Sequence, residues 1–325
     1  MSQERRFSPS TPETQEQTEE TETESLLETE TETEPEIVYP APDYDFTTEE
    51  VTVEIDGLTK EYTLAWVSDL HMITDSEIGD VTDEFMDTVK ERYDTLSITE
   101  DGIHGEELWP EIVKYLNYNK FDGIIFGGDM MDYCSHSNMD VFLEGFKQIR
   151  DPVLYIRADH DYGAWYGGDV FTEQDARELH QKVDGDDLNE KYLDFGEFMV
   201  VGVNGSTKDM PGDQLSTIED RFDTHKPIIT ATHVPYASKV DTSLAELSMQ
   251  VRAKPYYWGE GIYLPNELTS IYLNMIYDEN TTVQQVLAGH LHAKWDGMIT
   301  EQVPQHIFSP AFQGVIGIIH VVPSK

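Results

Sequence analysis

The chain has 325 residues, a formal net charge of −43 and 38% hydrophobic residues, enough for one large domain or two small ones with a substantial core. No stretch reaches the roughly 18 apolar residues of a membrane span, and a single cysteine, Cys134, excludes an internal disulfide. Residues 51–325 alone hold 48 acidic and 19 basic residues, a net of −29. That field repels polyanions and argues against DNA or RNA as the main partner.

Residues 1–50 carry 16 Asp or Glu against Arg5 and Arg6, and residues 13–36 are nearly all Thr and Glu. With no apolar spacing for helix or strand, this tail is expected to be disordered, either as a spacer or as a solvated tail without a task. The tail itself does not read as a signal peptide. An acidic Thr/Glu stem before a folded domain fits an exported or surface-anchored protein whose anchor lies outside this sequence. A native start would instead imply the cytoplasm.

In chain order, Tyr62-Thr-Leu-Ala-Trp-Val67 reads as a strand and stops at Ser68-Asp69-Leu70-His71. Helices are expected over 83–96 and 106–118, the second with Trp109, Ile112, Val113 and Leu116 on one face. The loop between them holds His104, read as a surface histidine. Ile124-Ile-Phe126 is a strand that breaks at Gly127-Gly128 and delivers Asp129, with Asp132 beyond it. Cys134 follows closely, either near that turn or simply as a small buried hydrophobe. A helix over 140–149 leads to the strand 152–156, which ends in Arg157-Ala158-Asp159-His160-Asp161.

A helix over 172–183, a hairpin over 192–204 turning at Gly196 and a helix over 215–222 come next. The strand 227–230 then runs into Ala231-Thr232-His233. Residues 236–282 contain helices at 244–251 and 267–277 around the cluster Tyr256-Tyr257-Trp258. They read equally well as a substrate-binding wall or lid and as aromatic packing of a loop. The strand 284–287 stops at Ala288-Gly289-His290-Leu291-His292, and residues 306–322 read as two strands closing a sheet.

Any one of these Asp/His clusters could cap a helix. Five of them, all at strand ends where open α/β sheets bind ligands, point to a metal site of oxygen and nitrogen donors. The order D-x-H, G-D-x-x-D, x-H-D, a lone H and G-H-x-H resembles the calcineurin-like metallophosphoesterases, from about Leu64 to about Val322. The resemblance implies an α/β fold, a four-layer α-β-β-α sandwich over residues 51–325, with 236–282 as an insert. It also implies two divalent or mixed-valence metal ions per chain, Mn, Fe or Zn.

Carried over residue by residue, Asp69, His71, Asp129 and His292 would hold one ion. Asp129 as the bridge, Asp159, His233 and His290 would hold the other. The implied reaction is hydrolysis of a small phosphoester, mono- or diester, by a hydroxide shared between the metals. His160 would be the general acid, oriented by Asp161. The sequence departs from the family at Asp159, where an Asn is usual; a third carboxylate would tighten metal binding and favour a more highly charged ion such as Fe3+. The rival readings are a binding protein on a degenerate scaffold and, against the charge, a nuclease of the same superfamily.

Overall fold

The computed structural model describes residues 38–74, 85–163, 173–184, 191–204 and 210–325; the Thr/Glu tract and the disorder expected of it lie outside these. Residues Val38–Lys325 form one compact unit. The first part of the chain runs β1 (Thr47–Ile55), β2 (Tyr62–Val67), α1 (Met86–Thr95), α2 (Gly105–Asn119), β3 (Gly123–Phe126), α3 (His136–Phe146), β4 (Val153–Tyr155), α4 (Asp159–Tyr162) and α5 (Glu173–Asp184). The second part runs β5 (Tyr192–Asp194), β6 (Met199–Val203), α6 (Gly212–Phe222), β7 (Ile228–Thr232), α7 (Ser243–Arg252), α8 (Glu267–Tyr277), β8 (Val283–Ala288), β9 (Trp295–Met298), β10 (Pro304–Ile307) and β11 (Val315–Pro323).

The strands form two sheets, ordered β1-β11-β2-β3-β4 and β5-β6-β7-β8-β10-β9. The period of two along each strand decides the layering. Leu64 and Trp66 of β2, Ile125 of β3, Val200 of β6 and Ile229 and Ala231 of β7 share one buried cluster, so the sheets pack face to face. The alternate residues point outward. Ala65, Val67, Ile124 and Phe126 meet Trp109, Ile112 and Leu116 of α2 and Phe142 of α3. Met199, Val201 and Ile228 meet Ile218 of α6 and Tyr272 and Ile276 of α8. The result is the expected α-β-β-α sandwich.

Three expectations need correction. The ordered domain starts before residue 51: β1 begins at Thr47, and the Asp43 N–H already donates to Glu111 of α2 at 2.6 Å. β1 is an edge strand paired in parallel with β11, alternating exposed Thr and Glu with inward Val51, Val53 and Ile55. Its acidic outer face made it look like more tail. The C-terminal strands do not close one sheet, because β10 pairs with β8 and β9 while β11 crosses to pair with β1 and β2. Finally, α3 starts at His136, not 140: the Ser135 hydroxyl caps it by accepting the Asn138 N–H at 3.1 Å, which a polar first turn concealed.

The remaining expected helices and the hairpin form within a few residues of their predicted bounds. His104 is half-buried at the start of α2, its ring stacked on Tyr93 at 3.8 Å, and is not the surface histidine expected. Cys134 is buried in the helix-side core.

Candidate metal centre

β2, β3 and β4 run parallel, as do β7 and β8, so within each sheet these strands deliver their C-terminal residues to one edge. Asp69 and His71 follow β2, Asp129 follows β3, Asp159 and His160 follow β4, His233 follows β7, and His290 and His292 follow β8. The β2 and β3 turns lie side by side, with the Asp69 N–H on the Gly128 carbonyl and the His71 N–H on the Asp129 carbonyl, both at 2.9 Å. Two glycines make this closeness possible. A Cβ on Gly128, whose φ is +93°, would stand 2.9 Å from the Ala158 methyl, and one on Gly289 would stand 2.4 Å from a carboxylate oxygen of Asp69.

The backbone here is strained. Asp69, His71, Asp129, His290 and His292 all have φ between 47° and 72°, five of the eight non-glycine residues with positive φ among the described residues. Such conformations cost on the order of 1–3 kcal/mol each and persist where surrounding contacts over-determine them, most often at functional sites.

Donor atoms converge in two sets, Asp69–His71–His292 and Asp129–His233–His290, each within 4.8 Å, and a third set, His71–Asp129–His160, draws one residue from each of them. Asp129 Oδ2 lies between the sets, 3.0 Å from His233 Nε2 and 3.6 Å from His71 Nε2. Asp69 Oδ1 is 3.3 Å from His292 Nε2.

The imidazole hydrogen bonds test whether these residues suit a metal. His71 Nδ1 is 2.8 Å from the Asp132 carboxylate and His233 Nδ1 is 2.8 Å from the Gly127 carbonyl. Both partners accept, so both Nδ1 atoms donate, and each Nε2 presents a lone pair inward. Those lone pairs face further nitrogens, His71 Nε2 to His292 Nε2 at 3.0 Å and His233 Nε2 to His290 Nδ1 at 3.1 Å. At these distances each pair of facing nitrogens shares a proton that a cation could replace, so the donor set fits metal ions.

Electrostatics agrees. Burial raises Asp69, but His233 and His292 outweigh it and hold the carboxyl below its ordinary value. Asp129 is likewise held low against burial, chiefly by His233 and His160. Burial lowers His233, yet Asp129 and Asp69 drive it up to about 10. His292 is pushed down to about 4 by burial, against Asp69, and is a neutral donor at neutral pH. The centre holds positive charge strongly, whether proton or metal.

His160 lies beside this cluster, its ring edge-on to His71 at 4.9 Å and its Nδ1 2.6 Å from the Asp132 carbonyl. Burial lowers its pKa, and Asp129, Asp132 and Asp159 reverse that and raise it. The residue that orients it is therefore Asp132, not Asp161 as expected. Asp161 is committed elsewhere: it accepts the N–H groups of Asp129, Met130, Met131 and Ala158 and the Tyr155 hydroxyl, at 2.9 to 3.3 Å. It braces the Asp129 turn, and burial together with the Asp129 charge raises it to about 6. Asp159 belongs to neither donor set and sits half-buried on the wall of a cavity of about 280 Å³ that opens over both.

Sequence reasoning missed five participants. Asp132 was seen but given no task; it accepts from His71 and takes a two-pronged hydrogen bond from Arg92 of α1, Nε to Oδ2 at 2.7 Å and Nη2 to Oδ1 at 2.5 Å. Arg92, Arg252 and Tyr256 line the cavity, and Tyr263 touches His290. The G-D-x-x-D spacing pointed to Asp132 and the aromatic cluster to Tyr256. No local signal marked Arg92, Arg252 or Tyr263.

The family model for calcineurin-like phosphoesterases matches residues 62–294. No curated protein matches the chain. Among solved structures, a dimetal phosphatase from Danio rerio is similar at 10% identity and TM-score 0.46, over 78% of this chain and 88% of that one. A 5'-nucleotidase from Candida albicans is similar at 12% identity and TM-score 0.40, over 82% of this chain and 48% of that one.

Proposed function

The chain belongs to the calcineurin-like phosphoesterase family and is a phosphoric ester hydrolase, and on that premise we propose that it hydrolyses a small phosphoester at a two-metal centre. Asp69, His71, His292 and Asp129 would hold one ion. Asp129, His233 and His290 would hold the other, with Asp159 available from the cavity wall as a further oxygen donor. Mixed Asp and His donors suit Mn, Fe or Zn. When bound, two such ions would neutralise phosphoryl charge and lower the pKa of a water enough for it to attack phosphorus near neutral pH.

The chain's own residues do the rest. Asp129 Oδ2, 3.0 Å from His233 Nε2 and 3.6 Å from His71 Nε2, ties the two donor sets together. The Asp132 carbonyl accepts a hydrogen bond from His160 Nδ1–H, leaving Nε2 to carry the second proton of the imidazolium, and the surrounding carboxylates favour that charged form. From there it can protonate the departing oxygen. A cavity of about 280 Å³ fits a small ester, and the charge of −29 over residues 51–325 disfavours a nucleic acid.

The observation that carries this reading is the convergence of imidazole nitrogens and the Asp69 carboxylate around Asp129 Oδ2. Its test is hydrolysis of p-nitrophenyl phosphate and of bis(p-nitrophenyl) phosphate by protein reconstituted with Mn2+, Fe or Zn2+. Turnover of at least one ester, abolished by chelator and restored by metal, is expected. Protein that binds two ions yet turns over neither ester would instead be a binding protein on this scaffold.

A further inference from the structure

His290 is the candidate ligand whose second ring nitrogen is held by the insert rather than by the sandwich. Its Nδ1 faces His233 Nε2 and belongs to the set with Asp129. Its Nε2 is 2.9 Å from the hydroxyl of Tyr263, which ends a short 3-10 turn, Gly261–Tyr263, and is itself buried. Two other insert residues close on the same histidine. Tyr256 stacks flat on its ring, centroids 4.3 Å apart and planes 7° apart, and packs edge-on against Tyr263 at 5.3 Å. Arg252, the last residue of α7, donates from Nη2 to the His290 carbonyl at 2.8 Å.

We propose that Tyr263 is the positioning residue of the second metal site, and that the insert is thereby part of the metal centre and not only a wall beside it. For Nδ1 to offer a lone pair inward, the neutral ring must carry its proton on Nε2. The Tyr263 oxygen accepts that proton, as the Asp132 carboxylate and the Gly127 carbonyl do for His71 and His233. A phenol oxygen thus stands where metal-bound histidines usually have a carboxylate, a backbone carbonyl or water. Tyr256 restrains the ring plane, and Arg252 restrains the backbone that carries it.

This inference rests on the reading of these residues as metal ligands, so its test reads binding and not turnover. In the full chain, Tyr263→Phe keeps the ring packed on Tyr256 and removes the hydroxyl, with its hydrogen bonds to His290 and Tyr256. Competition titrations with Zn2+ against a chelating dye should show one of the two equivalents weakened by about 10- to 100-fold and the other unchanged. Long-range nitrogen-proton NMR of the zinc-loaded protein should place the His290 proton on Nε2 in the wild type, with that signal broadened or lost in the variant. Tyr277→Phe, which removes an insert hydrogen bond to the Ala237 carbonyl, should leave both equivalents intact. Wild-type affinity for both equivalents in Tyr263→Phe, or equal weakening of both, would overturn the proposal while leaving the two-metal reading in place. A wild-type chain that takes up fewer than two equivalents would overturn both.

Discussion

The two halves of the centre are held by different kinds of structure. Around Asp69, His71 and Asp129, support comes from turns packed inside the sandwich. Ser68 donates to Asp69 at 2.6 Å, Asp132 holds His71, and Asp161 gathers the N–H groups of the Asp129 turn. Around His290, support comes from Arg252, Tyr256 and Tyr263, all on a segment inserted between β7 and β8. A carboxylate that holds a metal-bound histidine strengthens it as a donor; a phenol mainly fixes its tautomer and direction. The first half is thus built for strong binding by the core. The second depends also on the segment between β7 and β8, which packs on the second sheet through Tyr272 and Ile276.

Asp129 belongs to both halves, so removing it should erase the distinction. Asp129→Ala should lose both ions and all turnover, an effect well beyond the 10- to 100-fold, roughly, of an outer contact. Elemental analysis beside a rate assay measures it, and retention of either ion at full occupancy would show that Asp129 does not bridge.

His160 shares a donor set with His71 and Asp129 but is assigned no ion. His160→Ala should keep both ions while turnover falls about 10²- to 10⁴-fold on esters with poor leaving groups. The loss should shrink with nitrophenolate, which departs without a proton. Equal losses on both kinds of ester would rule out acid catalysis, and loss of metal would make His160 a ligand.

Asp132→Asn sharpens the comparison from the other side. It should weaken the first ion about 10- to 100-fold and spare the second, the mirror image of the outcome expected for the insert tyrosine. Equal weakening of both ions would mean that the halves are not separately supported.

A smaller effect concerns His233. Its folded value, about 10, lies above its ordinary 6.5. In metal-free protein its stabilising contribution is therefore complete below about pH 6.5 and is lost as pH rises toward about 10. The melting temperature of metal-free protein should fall over that range, whereas protein whose cation has displaced the proton should not show this fall. Parallel melting curves would contradict the placement of that proton.

The same contrast explains what could be read from residues alone. Each strand end is a local object, an apolar run broken before Asp or His, so Asp69, His71, Asp129, His233, His290 and His292 all stood out. Support is not local. Arg92 reaches Asp132 across 40 residues and Tyr263 reaches His290 across 27, and nothing in either neighbourhood announces the partner. Asp161 misled for a related reason: adjacency to His160 suggested contact, but the α4 turn sends its carboxylate to five other donors. The apolar runs of residues 306–322 marked two strands, but an apolar run carries no information about which strand lies alongside. That is why their assignment to different sheets was invisible.

On this account two carboxylates, Asp69 and Asp129, and four imidazoles, His71, His233, His290 and His292, hold a pair of ions. Elemental analysis of protein never exposed to chelator tests it most directly. Close to two equivalents of Mn, Fe or Zn per chain is the expected result. Less than one equivalent, persisting after reconstitution with each of these metals, would contradict it.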